Sequence, residues 1–204
     1  MIGIIILAAG NSSRLGQPKQ LLKYRNKTLI RHVTEEALAS GAGPVMVVTG
    51  ADQTAVAAEI EGLVSPGSSD AVLSLRVVIN ETWQEGMASS IRKGLSEMLD
   101  HHSFISAVVL AVCDQPFVSA PLFRELVARK EEGGKRIIAC AYAGILGTPV
   151  LFGRKYFPFL FQLQGQEGAK KLLKQYPEDL DSVIFDLGEI DIDTYADYEQ
   201  IVRR

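Results

Sequence analysis

Six short runs of apolar, largely β-branched residues punctuate the chain: IGIIILA from Ile2, PVMVVTG from Pro44, LRVVIN from Leu75, AVVLAV from Ala107, RIIACAY from Arg136 and SVIF from Ser182. Each is continuous rather than alternating, the pattern of a strand covered on both faces. Between them TLIRHVTEEALAS, QTAVAAEIEGL, MASSIRKGLSEML and APLFRELVARKEEG carry apolar residues at helical spacing, with Thr28 placed to cap the first. Strand alternating with helix predicts an α/β fold: a mostly parallel sheet with helices on both faces. After Tyr142 the rhythm loosens. The stretch from Leu146 to Gln166 is expected to form an insertion or lid-like excursion before the last strand and a closing helix from about Tyr195. SPGSSD, from Ser65 to Asp70, reads as a surface loop rather than a linker.

Composition narrows this picture without changing it. With 204 residues, 47% of them hydrophobic, the chain can bury one sizeable core, and a single domain over residues 1–204 is expected. No apolar run reaches the ~18 residues that would span a bilayer, and MIGIIILAAG lacks the basic start of a signal peptide. A cytoplasmic protein with no membrane partner is expected. Cys113 and Cys140 sit in apolar runs without metal-ligand spacing, as buried thiols in a reducing compartment do.

Charge adds a pattern. The net charge of −3 gives no ground for a nucleic-acid partner, but the charge is unevenly spread. No acid precedes Glu35, while Arg14, Lys19, Lys23, Arg25, Lys27 and Arg31 do; no Lys or Arg lies between Lys174 and Arg203, where acids run from Glu178 to Glu199. Two solvated surfaces of opposite sign would explain most of these residues. The first cluster differs in following a glycine turn, where positive potential suits an anion.

In an open α/β sheet ligands bind beyond the carboxyl ends of the strands, so the residues just after each strand carry the candidate chemistry. After the first strand comes LAAGNSSRLGQPK. Gly10 lets backbone approach a phosphate, Ser12 and Ser13 can donate, and Arg14 and Lys19 bring fixed charge. The spacing is neither that of a Walker A loop nor of a dinucleotide fingerprint. After the third strand, NETWQEGMASSIRKG sets Asn80 at the strand end and Gly86, Ser89 and Ser90 at a helix start, where small residues admit a flat ring or a phosphate. After the fourth, CDQP puts Asp114 at the mouth of an apolar strand, a costly place for a carboxylate without a partner, and a fitting one for a Mg²⁺ ligand. Cys113 beside it is expected to face away and pack. After the last strand Asp191 and Asp193 would share a face if extended. Two readings of Asp193 stand: second metal carboxylate, or helix cap alongside Thr194. The histidines form no catalytic or metal-binding pattern.

Four stretches, LAAGNSSRLGQPKQLL, NETWQEGMASSIRKGL, CDQP and DIDTYADY, together resemble the nucleotidyltransferase family that includes the molybdenum cofactor cytidylyltransferases and guanylyltransferases. The resemblance spans nearly the whole chain and implies a single-domain Rossmann-like nucleotidyltransferase fold, Mg²⁺ dependence, and transfer of a nucleoside monophosphate to a phosphate-bearing acceptor with release of pyrophosphate. Ala9 in LAAG, where guanylyltransferases tend to LAGG, favours CTP as donor, and the resemblance to the cytidylyltransferase branch implies molybdopterin or molybdenum cofactor as acceptor. The product would be a molybdopterin cytosine dinucleotide, handed to an enzyme of the xanthine dehydrogenase type. Two departures, Thr148 in a GHP-like turn and GQEGAK for GDxGAR at Gly165 to Lys170, fall where the acceptor is expected. GTP as donor, or a sugar or alditol phosphate as acceptor, therefore stands as the alternative.

The residue reading and the resemblance converge on one set of roles. Gly10, Ser12, Arg14 and Lys19 hold the triphosphate; Leu7, Ala8 and Ala9 with Asn80, Gly86 and Ser90 line the base; Asp114 and Asp193 hold Mg²⁺; and Arg14, Lys19 and Asp114 act in catalysis. A non-catalytic nucleotide-binding cofactor chaperone is the rival, but binding alone does not require a metal carboxylate beside the α-phosphate.

Overall fold

The computed structural model describes residues 1–12, 15–63 and 74–202. Its sheet has seven strands in the order β5-β4-β1-β6-β8-β7-β9. These are β1 (Ile2–Ala8), β4 (Val45–Thr49), β5 (Leu75–Ile79), β6 (Ala107–Val112), β7 (Ile137–Tyr142), β8 (Ile145–Gly153) and β9 (Leu180–Ile184); β2 (Lys23–Tyr24) and β3 (Lys27–Thr28) form a separate small ribbon. β1 lies between β4 and β6, parallel to both, and Ile4, Ile5 and Ile6 are fully buried because helices cover both its faces.

Helices α1 (Leu29–Ala39), α2 (Gln53–Ile60) and α4 (Ala120–Gly133) pack on one face; α3 (Met87–His101), α5 (Phe157–Phe161) and α6 (Lys170–Gln175) pack on the other. Thr28 caps α1, its hydroxyl accepting from Arg31 N at 3.4 Å. The last helix, α7 (Tyr195–Val202), joins neither layer. Its Ile201 packs with Leu22, Tyr24, Leu29 and Ile192, so the end of the chain folds back onto the ribbon near its beginning.

Three expectations need correction. LRVVIN is not covered on both faces: β5 is an edge strand, and Val77 and Ile79 are exposed. The stretch from Leu146 to Gln166 is not a lid-like excursion over its length. Its first part is β8, antiparallel between β6 and β7, with Val150, Leu151 and Phe152 fully buried, and α5 then packs against α3. The opposite-charge clusters are not wholly separate: Lys19 of the first meets Asp193 of the second at the site described next. SPGSSD lies outside the described residues.

Candidate active site at the carboxyl ends of β1 and β6

Leaving β1, the chain turns through Gly10 and Asn11 and returns at Lys19, on a short 3-10 turn spanning Lys19–Leu21. Gln20, only 1% exposed, closes this excursion: its Nε2 donates to Ala8 O at 2.9 Å and Gly10 O at 2.7 Å. Ser12 Oγ accepts from Lys19 N at 2.9 Å and donates to Gln20 Oε1 at 3.4 Å. Ser12 therefore shapes the loop through its hydroxyl. Gln20 was not foreseen; a glutamine in a polar loop carries no pattern, and only its burial reveals the role. Ser13 and Arg14 lie outside the described residues.

The loop aims Lys19 at Asp114, the second residue after β6. Its Nζ bonds Asp114 Oδ2 and lies 3.3 Å from Asp193 Oδ1. Burial would lower the pKa of this ammonium, but the charge and hydrogen bond of Asp114, with Asp193 beyond it, outweigh that and raise it. Lys19 is a fixed cation. Asp193 is brought here by its neighbour: Ile192 N donates to Asp114 O at 3.1 Å while the fully buried Ile192 side chain anchors the segment. Asp191 and Asp193 flank that anchor, and Asp191 lines a second cleft while Asp193 reaches Lys19. Burial raises the pKa of Asp191, and the charges of Asp114 and Asp193 raise it further. The cap of α7 is a Thr194–Asp197 pair, Asp197 Oδ2 accepting from Thr194 N at 2.7 Å. Asp193 is thus not the cap residue whose side chain closes the helix start. Two carboxylates already converging on one partly buried cation form an oxygen donor set that fits a hard divalent ion completed by phosphate and water.

A cleft of about 510 Å³ opens beside this cluster. Leu7, Ala8, Ala9, Gly10, Lys19, Gly86, Ser90 and Asp114 all line it, joined by Asn11, Gln20, Trp83, Gln84 and Met87, which carry no expected role, and by Gln166 of the stretch expected at the acceptor. Gly86 starts α3 with φ +114°, and a Cβ there would lie 2.3 Å from Gly165 O. Only glycine permits that contact, which seats the 165–166 turn, and so Gln166, against the helix start. Asn80 does not line this cleft. Its Nδ2 donates to Ser89 Oγ at 2.8 Å and Ser90 Oγ at 3.0 Å, and its Oδ1 accepts from Thr82 N and Oγ1, both at 3.1 Å. With those groups engaged it orients Ser90 rather than reading a base. Cys113 contributes to the cleft but is inert: burial, then the charge of Asp114, pushes its thiol up to about 12.

The second cleft, of about 450 Å³, shares Met87, Val112, Asp114 and Gln166 with the first. It adds Thr148, Lys170, Glu189 and Asp191, so both departures from the family pattern fall here. Of the basic N-terminal residues, Lys27 and Arg31 are engaged elsewhere, both paired with Glu35.

Comparison with known proteins shows the family. Residues 4–180 match the MobA-like NTP transferase domain, and the chain belongs to that family. It is a nucleotidyltransferase by fold and family. Among curated proteins it is 30% identical over 184 residues to the nicotine blue oxidoreductase of Paenarthrobacter nicotinovorans, covering 85% of this chain and 81% of that one. It is 29% identical over 211 residues to the purine catabolism protein PucB of Bacillus subtilis, covering 100% and 96%. Among solved structures, Rv0371c of Mycobacterium tuberculosis superposes with a TM-score of 0.80 at 30% identity, over 100% of this chain and 98% of that one. A structure of Rv0371c in complex with manganese aligns at 27% identity and a TM-score of 0.75, over 99% and 98%. Among the described residues no helix is long and apolar enough to cross a membrane.

Proposed function

We propose that this nucleotidyltransferase moves CMP from CTP to the terminal phosphate of molybdopterin or its molybdenum-loaded form, with Mg²⁺, releasing pyrophosphate. The observation that carries the reading is Asp114, which lines both of two adjoining clefts and pairs with Lys19, to which Asp193 is also drawn. Asp114 and Asp193 would hold Mg²⁺, which supplies charge neutralisation at the phosphoryl oxygens.

The chain's own residues do the rest. Leu7, Ala8, Ala9 and Gly10 line the nucleotide cleft together with Gly86 and Ser90, and the pyrimidine and its ribose would lie among them. Lys19, held charged, bears on the phosphates. An oxygen of the acceptor phosphate attacks the α-phosphorus, the bond from that phosphorus to the bridging oxygen breaks, and pyrophosphate departs. That nucleophile is already an anion at neutral pH, so no general base is required. Positioning and electrostatic stabilisation supply the rate.

The relatives support the acceptor side. One is named for purine catabolism, and xanthine is a purine, which suits a product destined for an enzyme of the xanthine dehydrogenase type. The deciding experiment measures pyrophosphate release with Mg²⁺ and molybdopterin, comparing CTP, GTP, ATP and UTP. Turnover with CTP alone is expected. Turnover with GTP, or only with sugar or alditol phosphates, would replace the donor or acceptor while keeping the chemistry; nucleotide binding with no turnover on any acceptor would favour the chaperone reading.

A further inference from the structure

The second cleft contains a polar group that the phosphoryl chemistry does not use. Gln115 follows Asp114, lines this cleft and is only 3% exposed. Its Nε2 donates to Gly188 O at 2.8 Å, which fixes the orientation of the amide. Its Oε1 is the one buried side-chain polar atom without a hydrogen-bond partner among the described residues. A buried carbonyl left so costs about 1–3 kcal/mol, and a site that retains one is built to receive a donor.

The surroundings limit what that donor belongs to. Tyr142 stands beside Gln115 in a slot where a Cβ on Gly188 would lie 2.3 Å from its ring and a Cβ on Gly147 2.0 Å from its hydroxyl. Burial raises the Tyr142 pKa, and hydrogen bonding from the Thr148 and Gln115 side chains holds it back. Thr148 lines the same cleft. Two further groups in the cleft, Glu189 and Asp191, are acceptors when ionised, and Lys170 supplies a cation for a phosphate. Asp114 and Gln166 reach it too, and Met87, Val112, Ile145, Val150 and Leu173 supply its apolar walls. A polyol would turn hydroxyls against those side chains without partners, whereas a flat ring presents apolar faces to them and polar atoms only at its edge.

We propose that Gln115 is a specificity-determining residue for the acceptor, its Oε1 accepting from a ring N–H or exocyclic amine on the edge of a flat heteroaromatic group. This rests on the second cleft being the acceptor site of the proposed function, and it names the part of the acceptor that the cleft reads.

The test is calorimetric titration of the full chain with free pterin, the ring without side chain or phosphate, and separately with CTP and Mg²⁺. Wild type binds pterin. Gln115→Met, which removes the acceptor atom, weakens pterin about tenfold and leaves CTP affinity unchanged. Gln115→Glu loses the same tether to Gly188 but keeps acceptor oxygens, and stays within about threefold of wild type for pterin. Equal weakening in both variants would show that Gln115 only ties loops together and would overturn the proposal. Wild type binding CTP but not pterin would overturn it too, leaving the nucleotidyl transfer reading intact; failure to bind CTP would instead count against that reading.

Discussion

Lys19 shows how much a single side chain can depend on its setting. Asp114 raises its pKa against the pull of burial, so its folded value lies above its unfolded one. The stability drawn from that pairing is complete below the ordinary lysine value of about 10.4 and is lost only as pH rises through the raised folded value. No Lys19 titration is therefore expected between pH 6 and 9. In Asp114→Asn the main raising influence disappears while burial remains, so the pKa falls below the ordinary value. The pH dependence of Lys19 acylation by an amine reagent, read by mass spectrometry, checks this; an unchanged profile in the variant would contradict it. At this scale the sequence was legible where chemistry is costly to misplace. A lysine after a glycine turn and an aspartate ending an apolar strand both announced themselves. Gln20 and Gln115 did not, because an amide costs little on a surface and becomes informative only once buried. Asn80 stands at a strand end as the base reading requires, while its side chain is engaged with Ser89, Ser90 and Thr82, a network that shows only in the fold.

Among the elements, β1, β4 and β6 were plain, since a strand covered on both faces must be apolar throughout. β8 was missed although it is central. Its hairpin turns through Ala143 and Gly144, both at positive φ, and alanine gives none of the Asn-Gly or Asp-Gly signal of such turns. Pro149 inside the strand argued against it as well. The start of α3 is the element junction on which the nucleotide cleft depends. Gly86→Ala would force both a strained φ and a contact with Gly165 O, at a cost of about 2–4 kcal/mol. Urea unfolding should show that loss, with a raised KM for CTP as Gln166 is displaced. A variant with wild-type stability would mean that the junction tolerates a Cβ and does not fix the cleft.

Across the whole molecule, the basic beginning and the acidic end of the chain are brought together. Ile201, Ile192, Leu22 and Tyr24 share one apolar cluster, and Tyr198 Oη donates to Lys23 O at 3.0 Å. That docking carries Asp193 to Lys19, a contact 174 residues apart in sequence that charge counts alone could not reveal. Ile192→Ala should consequently do more than open a cavity. Its expected cost is about 2–4 kcal/mol, measured by thermal unfolding, together with a raised Mg²⁺ requirement as Asp193 loses its anchor. Destabilisation with an unchanged Mg²⁺ dependence would separate the fold of the C-terminal segment from the chemistry.

The central claim is attack at the α-phosphorus by an acceptor phosphate, and its most direct test follows isotope from CTP. With molybdopterin and Mg²⁺, label placed on the α-phosphate should appear in a dinucleotide product and label on the γ-phosphate in pyrophosphate, with Lys19→Ala slowing both by at least about a hundredfold. Label from the γ-phosphate in the acceptor, or equal rates in the variant, would contradict the account.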